Sequence, residues 1–311
     1  MTIWSRLCVG AAISALLVGV AGRLQAQDKK FEVRLKRAWA TAFADRATIS
    51  ASMQVKHTHT KPNKVGAGGD DGDMHFSGVS AEIGLPFVAE IVNAALPAEK
   101  PAESLMMAKQ QSGEAVSIVG AWRLWFEHPS TSQTQGGANA FQPDNTNPNH
   151  SFEIHPVSRA GQQDVGSSFV PIAHYTAYTA DVAFPYFDKC VVTIKASKSG
   201  VSIRSKQLKY NYVVFDAELT ANPQKVSDGY IALATVNSDD GEEAATGPRR
   251  MIFIGGTSAA NRVKNASAGD HLRILGIPRI DLHAVVAMVA KNGTKQFDAQ
   301  LPYEMIVVGV M

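Results

Sequence analysis

Gly113-Glu114-Ala115-Val116-Ser117-Ile118-Val119-Gly120-Ala121-Trp122-Arg123 is the stretch that decides the fold. From Glu114 to Phe126, residues Val116, Ile118, Gly120, Trp122, Leu124 and Phe126 recur at period two, as in a strand with one buried face. The stretch returns as Gly269-Asp270-His271-Leu272-Arg273-Ile274-Leu275-Gly276-Ile277-Pro278-Arg279. The shared pattern is Gly-acid-x-aliphatic-x-Ile-aliphatic-Gly-x-x-Arg. A helix-like stretch precedes each copy, Pro97 to Gln111 and Ser258 to Ala268. Asp71-Gly72 stands 49 positions before Gly120, and Asp228-Gly229 stands 48 before Gly276. Phe152-Glu153-Ile154-His155-Pro156-Val157 has a counterpart in Tyr303-Glu304-Met305-Ile306-Val307-Val308. Three agreements in one order predict two related units.

The residues around the first copy predict what the unit is. Thr48 to Val55 alternates apolar and polar. A loop rich in Gly and Asp (Gly66, Gly68, Gly69, Asp70) ends that strand. Asp73 to Ala81 and Pro86 to Val92 read as strands two and three. Pro97 and Pro101 open a helix that Gly113 stops. After strand four comes a long polar loop, His128 to Asn149, and Ser151 to Arg159 is strand five. Three strands, a helix and two strands is the layout of an OB-type barrel. The expectation is a mainly β protein of two tandem OB-like barrels, each with one short helix, spanning 27–163 and 164–311. Residues 27–47 are ambiguous: Phe31, Val33 and Leu35 alternate like a strand, whereas Trp39 and Phe43 are spaced like a helical turn.

Residues 1–26 read as a signal peptide. Arg6 is the positive segment, Leu7 to Val20 the apolar one, and Leu24-Gln25-Ala26 the cleavage site. The apolar run is short for a span of about 20 residues. The mature chain is then expected to be secreted, to a bacterial periplasm. Without Arg6 and Arg23 it has 28 basic and 28 acidic residues. That balance argues against nucleic acid as a partner. Cys8 leaves with the signal, so Cys190 has no intrachain partner and reads as a small buried apolar residue.

The polar half-sites fall in the first unit. His57 and His59 end strand one, Asp71, Asp73 and His75 open strand two, and Glu153 and His155 open strand five. Side chains at i and i+2 share a face of a strand, and the OB cleft lies between the corresponding loops. His57, His59, Asp71, Asp73, His75, Glu153 and His155 therefore form the expected ligand cleft. His57, His59, Asp73, His75 and His155 are candidate ligands for a divalent metal such as zinc. The competing reading takes Asp71-Gly72-Asp73 as a turn and Glu153 and His155 as hydrogen-bonded barrel residues. In the second unit Tyr230 and Ala232 stand for Asp73 and His75, and Ile306 for His155, so the cleft belongs to the first. Glu304 persists, which suggests that Glu153 and Glu304 are structural. His128 and His150 flank the long loop as solvated residues or cleft members. Trp125 is assigned to the core or to covering a helix. Arg249-Arg250 reads as a solvated strand end, and Gly255-Gly256-Thr257 as a turn and cap.

The motifs Asp71-Gly72-Asp73-Met74-His75 and Glu153-Ile154-His155-Pro156-Val157 resemble those of secreted bacterial OB-like proteins carrying DGDxH and ExHPV stretches. The resemblance covers about residues 48–160. It implies a fold and a location, and no reaction. The unit also looks distantly like nuclease-type OB barrels, but the basic residues such enzymes use on phosphate are not evident near the half-sites. Two functions follow as expectations. One is a non-catalytic binding protein for a peptide, glycan or protein. The other is a metal-dependent hydrolase built on the His/Asp cluster. No GxSxG nucleophile motif is present.

Overall fold

A computed structural model describes residues 30–66, 71–137 and 143–311. The expected signal peptide lies outside them. Five strands close the first barrel: Thr48–Thr58, Met74–Val79, Phe87–Ile91, Val116–Leu124 and Phe152–Ala160. Strand one pairs antiparallel with strands two and four, strand two with three, and four with five. The parallel pair Phe87–Ile91 and Phe152–Ala160 completes the ring. Alternation builds its wall. Ile49, Ala51, Met53 and Val55 point inward, while Ser50, Ser52 and Gln54 point out. Each large aliphatic so buried contributes about 1.5–3 kcal/mol. The helix Lys100–Ser112 sits between strands three and four. It stops at Gly113, whose left-handed φ of 71° lets its N–H reach the Lys109 carbonyl.

The second barrel repeats the plan with Val213–Leu219, Gly229–Asn237, Arg249–Ile254, His271–Ile280 and Tyr303–Val310. Its third and fifth strands are again the parallel pair. Its helix, Ser258–Val263, is capped by Thr257 Oγ1, which accepts from the Ala260 N–H. Two tandem OB-like barrels are therefore the architecture. No described helix is long and apolar enough to cross a membrane.

The repeated residues have defined jobs. Gly120 and Gly276 both sit where the pairing of strands four and five shifts register. A Cβ on Gly120 would stand 2.4 Å from the Pro156 carbonyl oxygen. Three residues on, Arg123 lies opposite Glu153 and Arg279 opposite Glu304. The two arginines also reach across between barrels. Arg123 Nε donates to the Pro278 carbonyl at 3.0 Å, and Arg279 Nη1 donates to the Trp122 carbonyl at 3.0 Å. The Arg279 guanidinium lies 3.5 Å from the Trp122 ring centre. Each copy of the motif thus binds its own fifth strand and clasps the other barrel.

A third sheet was not expected. It runs Phe297–Gln300, Val191–Ala196, Gly200–Ser205, Phe31–Lys36, Ser132–Thr134. Phe31–Lys36, assigned from sequence to the first unit, pairs antiparallel with Gly200–Ser205 in the second half. The helix Arg37–Phe43 follows directly, so the ambiguous segment is both strand and helix. Further helices span Ala180–Lys189 and Leu282–Asn292. Trp125 packs edge-on against Phe187 of the first of these. Cys190 is buried. Arg249 and Arg250 do not form a solvated strand end. Arg249 pairs with Asp188 of the Ala180–Lys189 helix and lies over the Tyr303 ring, and Arg250 pairs with Glu304 and with Asp45, just past the Arg37–Phe43 helix.

Candidate functional site

The mouth of the first barrel carries a buried polar cluster beside a cavity of about 380 Å³. Asp71-Gly72-Asp73 is not the tight turn of the competing reading: it runs antiparallel to residues 63–65, bridged at Val65 and Asp71, with the Asn63 N–H donating to the Asp73 carbonyl at 2.8 Å. Gly72 takes φ +75°, and a Cβ there would meet Val65 Cγ2 at 2.6 Å. Asp71 and Asp73 both line the cavity at the mouth, and Asn63 Nδ2 holds Asp73 by a 2.7 Å hydrogen bond. His75 Nε2 donates to Asp73 Oδ2 at 2.7 Å and lies 3.8 Å from Glu90 Oε1. Asp73, His75 and Glu90 each offer a ligand atom within 4.8 Å of the others.

Strand five supplies the other side. Glu153 Oε2 accepts from Arg123 Nη1 at 2.5 Å, and its Oε1 lies 3.0 Å from His150 Nε2. His155 Nδ1 lies 2.9 Å from Glu90 Oε2, and its Nε2 lies 2.9 Å from the Tyr212 hydroxyl. Both ring nitrogens are used, so His155 fixes Glu90 and has no nitrogen left for a metal. Arg123 Nη2 holds Glu127 at 2.9 Å.

The electrostatics follow from this crowding. Asp71, Asp73, Glu90, Glu127 and Glu153 line the cavity, and no lysine or arginine does among the described residues. Burial, then the negative charges of Asp73 and Glu90, push Asp71 up to about 9, so it keeps a proton at neutral pH. Asp73 is buried too, but His75 and His155 hold it well below the carboxylate range. Burial pulls His75 down, yet Glu90, Asp73 and Asp71 outweigh it and raise it to about 10. His155 rises to about 10 against its burial through Glu90 and Glu153. Beside Arg123, protons held on Asp71, His75 and His155 offset the carboxylates of the site. Asp71 Oδ1, His75 Nδ1, His59 Nδ1 and Asn211 Oδ1 are buried here without a partner.

Of the residues expected at the cleft, the fold gathers Asp71, Asp73, His75, Glu153 and His155. His59 stacks on His75 at 4.7 Å between ring centres, and its backbone N–H pairs with the His75 carbonyl. His57 lies apart, with Nε2 bound to the Pro143 carbonyl at 3.0 Å. The strand ends at Thr58, so the alternation expected to pair His57 with His59 does not continue. Neither His57, His59 nor His155 belongs to the compact ligand groups; Glu90 does. His150, 1% exposed, is a cluster member and not a solvated loop residue. The sequence reading also missed the far wall. Tyr175, Tyr178 and Tyr210 line the cavity, and Tyr212 reaches His155, all from the segment leading into the second barrel. One signal was available: with Tyr186, these are five of the chain's seven tyrosines.

No family model matches the chain, and no curated protein matches it. A solved structure described as a murine DNA binding protein bound with ds DNA aligns over 85% of this chain and 100% of its own at 12% identity. Its TM-score is 0.19, a value that says nothing of this chain's fold or ligand.

Proposed function

We propose that the chain is a secreted, periplasmic binding protein whose first-barrel mouth takes a divalent cation on Asp73, His75 and Glu90 and presents it to a ligand in the cavity. The observation that carries the reading is the convergence of these three buried or half-buried donors beside further carboxylates. Mixed imidazole and carboxylate donors suit zinc or manganese. The location rests on the N-terminal stretch read from sequence. Five carboxylates at the mouth disfavour a bare phosphate backbone as the ligand.

A metal-dependent hydrolase is the second reading. Asp71, a carboxyl that keeps its proton, stands near ionised Asp73, and such a split supplies an acid and a base. Titration of zinc into chelator-treated protein by calorimetry tests the main reading. Binding should be unchanged in His57→Ala and reduced in Asp73→Asn and His75→Ala. No heat of binding in wild type, or unchanged binding in both site variants, would overturn it. Zinc-dependent release of p-nitrophenol from esters or phosphates would favour the hydrolase.

A further inference from the structure

A second group of ligand atoms stands beside the first. Glu90, His150 and Glu153 each present one within 4.8 Å of the others, and all three residues are buried. Glu90 belongs to both groups. Hydrogen bonding at His150 is the informative detail. Its Nδ1 lies 2.6 Å from the Pro148 carbonyl oxygen, which can only accept, so Nδ1 carries the hydrogen. A neutral ring then has a bare lone pair on Nε2, and Nε2 faces Glu153 Oε1 at 3.0 Å. A lone pair and a carboxylate oxygen repel at that distance, so something positive belongs between them, a proton or a metal ion. Two ligands each about 2.0–2.1 Å from one ion stand about 3 Å apart, so the spacing suits an ion.

The surroundings support the ion. Arg123 occupies Glu153 Oε2, which leaves Oε1 to face the group. Asp71 is 5% exposed, lines the same cavity, and its Oδ1 has no partner. A buried oxygen of that kind is costly unless a donor, a water or a cation meets it. His155 holds Glu90 from behind through the 2.9 Å contact to Oε2, which fixes the carboxylate between the two groups.

We infer that the mouth holds two divalent cations bridged by Glu90, the second on His150 Nε2, Glu153 and Glu90; this rests on the cation reading of Asp73, His75 and Glu90. A carboxylate-bridged pair binds both a water and the oxygen of a phosphoryl or carbonyl group. The pair therefore selects ligands that carry such an oxygen into the cavity.

The test counts ions on the full mature chain. Chelator-treated protein is loaded with Zn(II), desalted and assayed by mass spectrometry for zinc per chain. A Mn(II)-loaded sample is read by electron paramagnetic resonance. The inference expects two ions in wild type, one in His150→Ala and in Glu153→Gln, and an exchange-coupled manganese signal in wild type only. One ion in wild type with an uncoupled signal overturns the second site and leaves the first. No ion in wild type overturns both. Circular dichroism checks that each variant is folded, and the wild-type count and spectrum decide the matter even if a variant is not.

Discussion

Replacing Arg279 with alanine removes one half of the clasp between the barrels, and the structure gives the scale. Arg279 is fully buried. It donates to Glu304 Oε1 at 2.7 Å and to the carbonyls of Trp122, Arg46 and Ala47 at 3.0, 3.1 and 3.3 Å. Truncation removes a donor from each of three carbonyls, of which Arg46 O keeps the Trp122 Nε1 bond, and leaves Glu304, also buried, leaning on Arg250. Breaking a buried pair by removing one partner costs about 3–5 kcal/mol. A whole domain is stable by only about 5–15 kcal/mol. Arg273 serves as the control. It makes two ion pairs, with Asp216 and Asp239, but its side chain is 33% exposed, and such pairs contribute about 0–1 kcal/mol. In urea titrations followed by tryptophan fluorescence, Arg279→Ala should lower the midpoint by about 1 M or more, at a slope of about 3 kcal/mol per M. Arg273→Ala should move it little. If the two variants shift alike, the reciprocal clasp does not hold the barrels together.

Other outcomes follow from the same contacts. Zinc must displace the proton that the surrounding carboxylates keep on His75 up to about 10, so affinity by calorimetry should rise about tenfold per pH unit between pH 6 and 8; a flat profile would count against His75 as a ligand. Asp228 caps the first barrel by accepting from the Ala47 and Thr48 N–H groups, the Thr48 hydroxyl and Arg46. Burial would raise its carboxyl, but Arg46 and the Thr48 and Ala47 groups hold it below its usual value. Its stabilisation is therefore full above about pH 4–5 and fades as pH falls through the folded value. Asp228→Asn should cost about 1–3 kcal/mol at pH 7, with the gap to wild type narrowing at pH 3. Gly120→Ala should destabilise more than Gly276→Ala in thermal melts, because its Cβ meets Pro156 O at 2.4 Å and Val157 Cα at 2.8 Å, whereas that of Gly276 has 3.1 Å to the Phe215 ring. Equal melting shifts would show that the bulge at Gly120 relaxes.

What could be read from sequence was local. The first barrel was legible because its strands alternate, its helix starts on prolines and ends on Gly113, and its plan recurs 156 residues later, from Gly113 to Gly269. The third sheet was not, since Phe31–Lys36 finds its partner at Gly200–Ser205 and no short pattern encodes so distant a pairing. At the site, Asp71, Asp73, His75, Glu153 and His155 were legible as paired positions on strands. Glu90 was not, because Phe87–Ile91 is buried at every position and reads as core. His150 looked solvated because its neighbours are polar, yet Glu153 draws it inside. His57 kept the right spacing and lost its place where the strand ends. The paired arginines carried the clearest message of the repeat, but their reach into the opposite barrel depends on how the two barrels dock.

The central claim is a cation at the first-barrel mouth. Anomalous diffraction at the zinc edge, on crystals of residues 27–311 soaked in Zn(II), is the decisive test. The account predicts a peak within about 2.0–2.2 Å of ligand atoms of Asp73, His75 and Glu90. A peak on His57 and His59 instead, or none at the mouth while zinc occupies other sites, would contradict it.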